Sequence, residues 1–492
     1  MNPLPNEVYS VATVREIDSN VIADGGIAGF TLMTRAAAAA VLAAGEHFPL
    51  ARRWQVVCGA GNNAGDGYVV ARLAASEGIE VSVLALADPL LLVGDAALAW
   101  YEFASWGGEV SAWSGSVDAT AGLIVDALLG SGLMRDVQGD FAAAVDAINA
   151  SSVPVMALDI PTGLHGDSGA VLGTAIRADL TVTFVGLKQG LFLGDAREYC
   201  GALCFSDLDI PPAYYANRPV EYRRIDPAQV EGLLPRRRRA AHKGNFGHVL
   251  IVGGGRGMPG AALLAGEGAL RAGAGRVSIA TDPSHAAEIV KDRPELMVHG
   301  IKNAADLRPL MQQADVVAVG PGLGRSDWAA DIMDLLQADG RPAVWDADAL
   351  NWLASSPNVT PSRVITPHPG EAATLLGQST ADIQADRRMA LRALQRKFGG
   401  VAVLKGAGTL VSGADGVPWL CTAGNPGMAA PGMGDVLTGI IAGLMAQGLS
   451  LQDAANAGVD LHARAGDRAA AGGERGLIAS DLLAEIRALV NA

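Results

Sequence analysis

The sequence predicts two α/β domains, each a parallel sheet covered by helices on both faces. Three observations carry this. The chain has 492 residues, more than one hydrophobic core usually organises. Short, continuously apolar runs alternate with glycine- and aspartate-rich turns and helical stretches, the pattern of strands buried on both faces. Glycine is abundant, with 62 residues, and aromatic residues make up only 5%, a composition suited to tight strand-to-helix turns. Half of the residues are hydrophobic and 18% are charged, which excludes disorder on a large scale.

Residues 12–48 read as helical, with "LMTRAAAAAVLAAG" a strong helix former closed by Gly45; the Ala36–Ala40 tract is helix composition rather than low complexity. From Trp54 come the strand-like runs "WQVVCGAG", "VSVLAL", "GLIVDALLGSG", "VPVMALDIPTG" and "ADLTVTFVG", a series that ends near Ile210. The segment over 211–247 is rich in Pro and Arg and keeps no periodicity over much of its length, which marks a boundary. A second series follows: "HVLIVGGG", "RVSIATD", "ADVVAVGPGLG", "PAVWDADAL", "RVITPHPGE" and "VAVLKGAGTLV", then helices from Asp435 onward. The expected domains are residues 1–215 and 225–492. The two halves share a grammar but no motif, so no internal repeat is read.

The net charge of −14 argues against non-specific binding to nucleic acid or a membrane surface. The run "PRRRRAAHKG" is short and reads as a solvated hinge or a nucleotide-facing rim. No stretch approaches the roughly 18 apolar residues of a membrane span. The longest candidate, over 439–449, is shorter and contains Gln447. The opening "MNPLPNEVYSVATVREIDSN" lacks the basic-then-apolar order of a signal peptide, so a cytoplasmic location is expected. Cys58, Cys200, Cys204 and Cys421 form no zinc ligand set and are expected to be reduced thiols.

The stretch "GAGNNAGDGYVVAR", residues 59–72, follows an expected strand and opens a helix, where open α/β sheets bind ligands. It has neither the G-x-G-x-x-G spacing of a dinucleotide fingerprint nor a P-loop lysine. Asn62 and Asn63 beside Asp66 offer hard oxygen ligands for a cation, and backbone N–H groups there suit a phosphate. The same asparagines suit left-handed turn positions, and the local residues leave both readings open. "VDALLGSGLMRD" puts Asp126 at a second strand end, and "LDIPTGLHGDSG" puts Asp159 and Thr162 at a third. Each alone reads as a turn or cap device. Three oxygen-rich strand ends converging on one sheet edge read as a site.

In this order, "NNAGDG", "DALLGSGL" and "LDIPTGL", preceded by "REIDSNVI" and "LMTRAA", resemble the epimerase domain of the bifunctional NAD(P)H-hydrate repair enzymes. The resemblance implies a Rossmann-like three-layer domain that racemises C6 of hydrated NADH or NADPH and binds a potassium ion. It implies that Asn63, Asp126 and Thr162 hold the ion. It assigns the hydrate to Asn62, Asn63, Ala64, Gly65 and Asp66, to Gly130, Ser131, Gly132, Leu133, Met134, Arg135 and Asp136, and to Asp159, the catalytic acid/base. Epimerisation at a carbon bearing a hydroxyl and a ring nitrogen needs proton transfers, which a positioned carboxylate assists. Ala64 stands where the family pattern has glycine, a departure that matters if the position requires a positive φ.

In the second half, "HKGNFGHVLIVGGGRGMPGAALLAGEGALRAGAGRVSIAT" reads mostly as tight helix-on-sheet packing. "VGPGLGRS" is another glycine-rich strand end, and "TPHPGEAATLLG" places His368 between prolines ahead of a helix, either structural or facing a polar ligand. "VLKGAGTLVS" places Lys405 after an apolar strand, where a phosphate is one partner for its charge. In "AAPGMGDVLTG", over 429–439, glycines precede an apolar helix, the setting of an anion site, and Asp435 sits inside it. An aspartate there either caps the helix or handles a proton beside a phosphate.

This set resembles the ribokinase-like fold, specifically the ADP-dependent NAD(P)H-hydrate dehydratase domain. The resemblance implies that Asp435 is the base beside the transferred phosphoryl, with Mg2+ accompanying ADP. It places Ala261, Gly322, His368 and Asp435 on the hydrated nucleotide, and Lys405, Gly406, Ala407, Gly408, Thr409 and Gly434 on ADP or AMP. The family pattern Gly-Gly-Thr/Ser-Gly-Asp reads here Pro431-Gly432-Met433-Gly434-Asp435, with no hydroxyl at Met433 and no N–H at Pro431. The expected function is repair of hydrated nicotinamide nucleotides: epimerisation of R- and S-NAD(P)HX, then dehydration of the S form at the expense of ADP, leaving AMP and phosphate. Small molecules are the expected partners, and a homo-oligomer is expected. A small-molecule kinase and a nucleotide sensor are the alternatives.

Overall fold

The computed structural model describes residues 4–491. Packing divides the chain into two compact units, with the division between Tyr222 and Arg223.

The strands of the first unit are β1 (Glu7–Tyr9), β2 (Arg53–Cys58), β3 (Glu80–Ala85), β4 (Val110–Ala112), β5 (Leu123–Ala127), β6 (Val155–Leu158), β7 (Leu180–Phe184), β8 (Leu187–Lys188) and β9 (Ala202–Ser206). Seven of them form one sheet in the order β4-β3-β2-β5-β6-β7-β9, all pairs parallel; β1 and β8 pair separately, Val8 against Leu187. Alternation along the strands feeds two cores. Val56, Cys58 and Val125 pack under the helices Gly29–His47 and Asn62–Ser76, while Val57, Ile124 and Val155 pack under Gly139–Ala150. The chain runs outward from β2 to β4 and returns to β5 on β2's other side. The β2–β5 gap is therefore the switch point at which such sheets bind ligands.

The helical region expected over 12–48 is two helices, Val11–Asp24 and Gly29–His47. The Gly25 N–H caps the first on Val21 O, and Gly26 takes φ +66, which halts it.

The division falls within β10 (Tyr222–Arg224), and with it the second unit contains β11 (His248–Val252), β12 (Arg276–Thr281), β13 (Met297–Gly300), β14 (Val316–Val319), β15 (Ala343–Trp345), β16 (Arg363–Ile365), β17 (Val401–Leu404), β18 (Leu410–Val411) and β19 (Trp419–Leu420). They lie in the order β13-β12-β11-β14-β15-β16-β17-β18-β19-β10, parallel from β13 to β17, with antiparallel turns through β18 and β19. β10 and a short helix, Pro227–Gly232, lie in the segment whose sequence shows no sustained periodicity. Here the switch point is the β11–β14 gap.

The glycine-rich helices pack as the sequence suggests. A Cβ at Gly439 would lie 1.9 Å from Ala265 O, and one at Gly268 would lie 2.6 Å from Val436 O, so helices Pro259–Ala272 and Met433–Ala446 meet backbone to backbone. All four cysteines are free. Among the described residues no helix is long and apolar enough to cross a membrane.

Candidate active sites

In the first unit the carboxyl ends of β2, β5 and β6 open into a cavity of about 1040 Å³. The ends of β2 and β5 nearly touch: a Cβ on Gly59 would lie 2.0 Å from Leu128 O, so only glycine fits. Asn62, Asn63 and Asp66, from the start of helix Asn62–Ser76, line the cavity together with all seven residues of 130–136 and Asp159. Ala64 and Gly65 are turned into the core instead; Ala64 is fully buried in regular helix and has no positive φ, so its methyl strains nothing there. At Gly65 a Cβ would press to 2.7 Å from Met33 Cε and 2.9 Å from Ala96 Cα.

Asp126 and Thr162 are fully buried behind this lining. The Thr162 N–H and hydroxyl donate to the two oxygens of Asp126 at 2.8 and 2.7 Å, the Leu128 N–H donates at 3.2 Å, and the Leu129 N–H donates to Thr162 Oγ1 at 2.9 Å. Burial pushes the Asp126 carboxyl up to about 6 against these hydrogen bonds. Asn63 packs beside Gly130, and its amide nitrogen and oxygen are both buried without a hydrogen-bond partner. That is an unmet polar group at the rim of an oxygen-rich pocket.

Asp159 follows β6 with φ +67 and accepts from Lys188 Nζ on one oxygen and from Ser131 N–H at 3.3 Å on the other. Burial raises its carboxyl, but the charge and hydrogen bond of Lys188 and the Ser131 contact outweigh this and hold it below the ordinary range. Lys188 is the residue that sequence reasoning missed. A lysine in the apolar run "TFVGLKQG" was the available signal.

In the second unit the ends of β11 and β14 close on each other in the same way: Gly254 N–H donates to Pro321 O at 2.9 Å and Gly255 N–H to Gly322 O at 2.7 Å. Gly322 takes φ +58, and a Cβ there would lie 3.1 Å from Ala261 Cβ, so Ala261 and Gly322 are neighbours at the switch point. Beyond them, three elements meet. Asp346, after β15, is buried and accepts from Lys405 Nζ at 2.7 Å and from Thr438 Oγ1 at 2.9 Å. Lys405 also lies 3.8 Å from Glu371 Oε2. Burial disfavours the Lys405 charge, but Asp346, Glu371 and Asp435 outweigh it and raise its pKa.

Asp435 stands in the first turn of helix Met433–Ala446, after Gly432 at φ +86. Its carboxyl is pushed up to about 7 by burial first, then by Asp346, Glu371 and Asp348, while Lys405 pulls it down. Gly434 leaves room for this arrangement, since a Cβ would lie 3.2 Å from Lys405 Nζ and 3.4 Å from Asp346 Oδ2. Asp346 and Glu371 were not singled out in sequence; both lie in quoted strand-end runs, where an acidic residue also suits a helix start. Met433 packs into the core rather than toward the loop, so its side chain takes no hydroxyl's place there.

The 405–409 loop carries φ +140 at Gly406 and φ +67 at Gly408. Arg387 Nη1 braces it on Ala407 O at 2.6 Å, and Thr409 Oγ1 donates to Gly406 O at 3.0 Å. His368 caps helix Pro369–Leu376: its Nδ1 accepts from Gly370 and Glu371 N–H, and Glu371 returns the bond by accepting from His368 N–H at 2.7 Å. Its ring remains 56% exposed, with Nε2 on its other edge 3.6 Å from Glu371 Oε1. The arginine run is not a rim of this site. Arg236 and Arg237 line a cavity of about 1370 Å³ with Asn245, Phe246 and Gly273, where β11 and β12 begin. That is the end of the sheet opposite Asp435, where Arg237 stacks 3.6 Å over Phe246.

Two doubly wound units, each with an ionisable cluster at the carboxyl ends of its parallel strands, define a two-domain α/β enzyme with one site per domain. The family model described as YjeF-related protein N-terminus matches residues 29–190, and that described as NAD(P)H-hydrate dehydratase matches 249–488. The bifunctional NAD(P)H-hydrate repair enzyme Nnr of Coxiella burnetii is 45% identical over 98% of this chain and 99% of its own. The second unit resembles two solved structures. An ADP/ATP-dependent NAD(P)H-hydrate dehydratase from Bacillus subtilis, co-crystallised with ATP/Mg2+, is 31% identical at TM-score 0.50, covering 54% of this chain and 96% of that one. A ribokinase-like superfamily protein from Enterococcus faecalis is 29% identical at TM-score 0.51, covering 54% and 94%. The chain belongs to the family of bifunctional NAD(P)H-hydrate repair enzymes.

Proposed function

We propose that the first unit interconverts the R and S forms of NAD(P)HX and that the second dehydrates the S form to NAD(P)H, converting ADP to AMP and phosphate. The observation that carries this is Asp435: a carboxyl with a near-neutral pKa at a glycine-preceded helix start, beside the Lys405–Asp346 pair. The helix N-terminus favours the negative charge of a phosphoryl group. Asp435, ionised over the upper half of its titration, takes the proton of the attacking hydroxyl of the hydrate. Lys405 and the 405–409 loop receive the adenine nucleotide, with Gly434 admitting it closely. Ala261, Gly322 and the exposed ring of His368 face the hydrate.

Carboxylates outnumber cations around Asp435, a charge balance that fits a magnesium ion arriving with the nucleotide. Among the described residues no three His, Cys, Asp or Glu side chains are grouped to hold a resident metal. Magnesium supplies charge neutralisation on the phosphates when bound. In the first unit the unpartnered Asn63 amide, with the oxygens of Asp126 and Thr162 behind it, fits a potassium ion, a weakly demanding oxygen-seeking cation. It supplies electrostatic order to the turn that carries residues 130–136. Asn62, Asp66 and that turn hold the hydrate, and Asp159 moves its proton.

The test uses full-length protein, both NADHX epimers, K+, Mg2+ and ADP, following the return of reduced-nicotinamide absorbance. Recovery of the whole mixture faster than spontaneous epimerisation supports both activities. No recovery with ADP or ATP, or phosphate transfer to a stable acceptor, overturns the dehydratase reading.

A further inference from the structure

Two reverse turns in the first unit place unlike charges face to face. Ile160 N–H donates to Leu158 O at 2.8 Å across Asp159, and Gly186 N–H donates to Phe184 O at 2.8 Å across Val185; Asp159 and Val185 each have φ +67. Both are three-residue turns of the strained hand, and a β-branched residue seldom adopts such a φ. The second turn is held in place. Val185 N–H donates to Ser206 O at 3.0 Å, and the Tyr215 hydroxyl donates to Val185 O at 2.7 Å. The first turn presents Asp159 to the cavity, and the second brings Lys188 back beneath it.

Lys188 is only 2% exposed, and its three protons go to Asp159, to Thr183 Oγ1 at 3.0 Å and to Phe184 O at 2.8 Å. None is left for a ligand, so its charge acts through Asp159. Asp66 faces the same cavity from helix Asn62–Ser76, and no hydrogen bond reaches its carboxyl among the described residues. Asp18 approaches it from helix Val11–Asp24 and Asp159 from the β6 end; Arg15, Asp95, Arg135 and Asp136 complete the ionisable lining. Burial first, then repulsion by Asp159 and Asp18, holds the Asp66 carboxyl protonated well above the ordinary range, while Asp159 stays ionised. Two carboxyls driven apart by their surroundings are the arrangement of an acid and a base.

We propose that Asp66 is a second catalytic residue of the epimerase site, the proton donor that complements Asp159, and that Lys188 is the positioning residue that keeps Asp159 the base. This rests on the reading of the cavity as the epimerase site. Asp159 takes the proton of the C6 hydroxyl, and the freed O–H electron pair becomes the second carbon–oxygen bond. The C6–N1 bond breaks with its pair passing to N1, which takes the proton of Asp66. The open aldehyde turns about its C5–C6 bond, and N1 adds to the other face of the carbonyl. The N1 proton then returns to Asp66 and the Asp159 proton to the oxygen. No proton, electron or water is gained or lost.

The experiment compares wild type with Asp66→Asn, Asp66→Glu, Lys188→Met and Lys188→Arg in the full chain. It measures R-to-S exchange of NADHX without ADP across pH, and dehydration of the S form with ADP and Mg2+ as the reference for intact protein. Asp66→Asn should lower epimerisation kcat by about 100-fold or more, leave KM within about threefold, and remove the alkaline limb of the profile. Asp66→Glu should recover at least about tenfold of that loss. Lys188→Met should move the acidic limb to higher pH, and Lys188→Arg should move it back. Asp66→Asn within about threefold of wild type, an alkaline limb that persists, or no recovery with Glu overturns the donor role. An unmoved acidic limb in Lys188→Met overturns the positioning role. A wild-type chain that does not exchange the epimers overturns the reading of the domain itself, which separates the two failures.

Discussion

Replacing Asp435 by asparagine should inactivate the dehydratase and stabilise the protein at once. In the folded chain this carboxyl ionises near 7 rather than at its ordinary 3.8, because burial, Asp346, Glu371 and Asp348 oppose its charge more than Lys405 supports it. Between those two values the native state binds a proton that the unfolded state has released. Stability therefore falls as pH rises through that window, and the penalty is complete above about 7. At about 1.4 kcal/mol per tenfold in ionisation the penalty is about 4 kcal/mol at most, and about 2 kcal/mol after solvent screening of a partly buried group. Asparagine carries no charge and removes it. Urea denaturation at pH 8 should show Asp435→Asn more stable than wild type by about 2–4 kcal/mol, and the two should coincide at pH 4. Over the same range wild-type dehydration kcat/KM should rise with pH through about 7, while the variant falls about 100- to 10,000-fold and keeps epimerisation. Equal stability of the two proteins at pH 8, a gain that persists unchanged at pH 4, or dehydration within tenfold of wild type would refute the reasoning.

Ala64→Gly should leave epimerase kinetics unchanged and cost about 1 kcal/mol of stability, because Ala64 is a fully buried helical residue; a several-fold gain in epimerase kcat would contradict this. Gly65→Ala should lower the first unit's stability by about 1–3 kcal/mol in a thermal melt, since the new methyl meets Met33 and the Ala96 backbone. Potassium chloride, compared with the same concentration of a bulky monovalent chloride, should raise the wild-type melting temperature, and Asn63→Leu should abolish the difference; a persistent potassium effect in the variant would remove Asn63 from the ion's shell. His368→Ala should cost about 0.5–2 kcal/mol through the lost helix cap, read from the urea midpoint.

Much of this protein is legible locally. Strands buried on both faces need continuous apolar runs, and a strand that turns into a helix at a sheet edge needs glycine where backbones cross, so "GAGNNAGDG", "DALLGSGL" and "GPGLG" mark the switch points in one dimension. The helix start at Met433 and the acid inside it are likewise a matter of neighbouring residues. The break at Gly25–Gly26 was visible in the letters and was overridden by the length of the alanine-rich run beside it. What only the tertiary structure decided is which charges meet. Asp346 and Lys405 are 59 positions apart and are joined by the closing of the parallel strands β15, β16 and β17; Asp159 and Lys188 are 29 apart, and β7, parallel to β6, with the turn after it carries Lys188 back to Asp159. The sequence therefore determined where carboxylates stand, since strand ends and helix starts are set by local sterics. Which of those carboxylates is protonated depends on burial and on a cation brought from elsewhere in the chain, and those exist only once the sheet has formed.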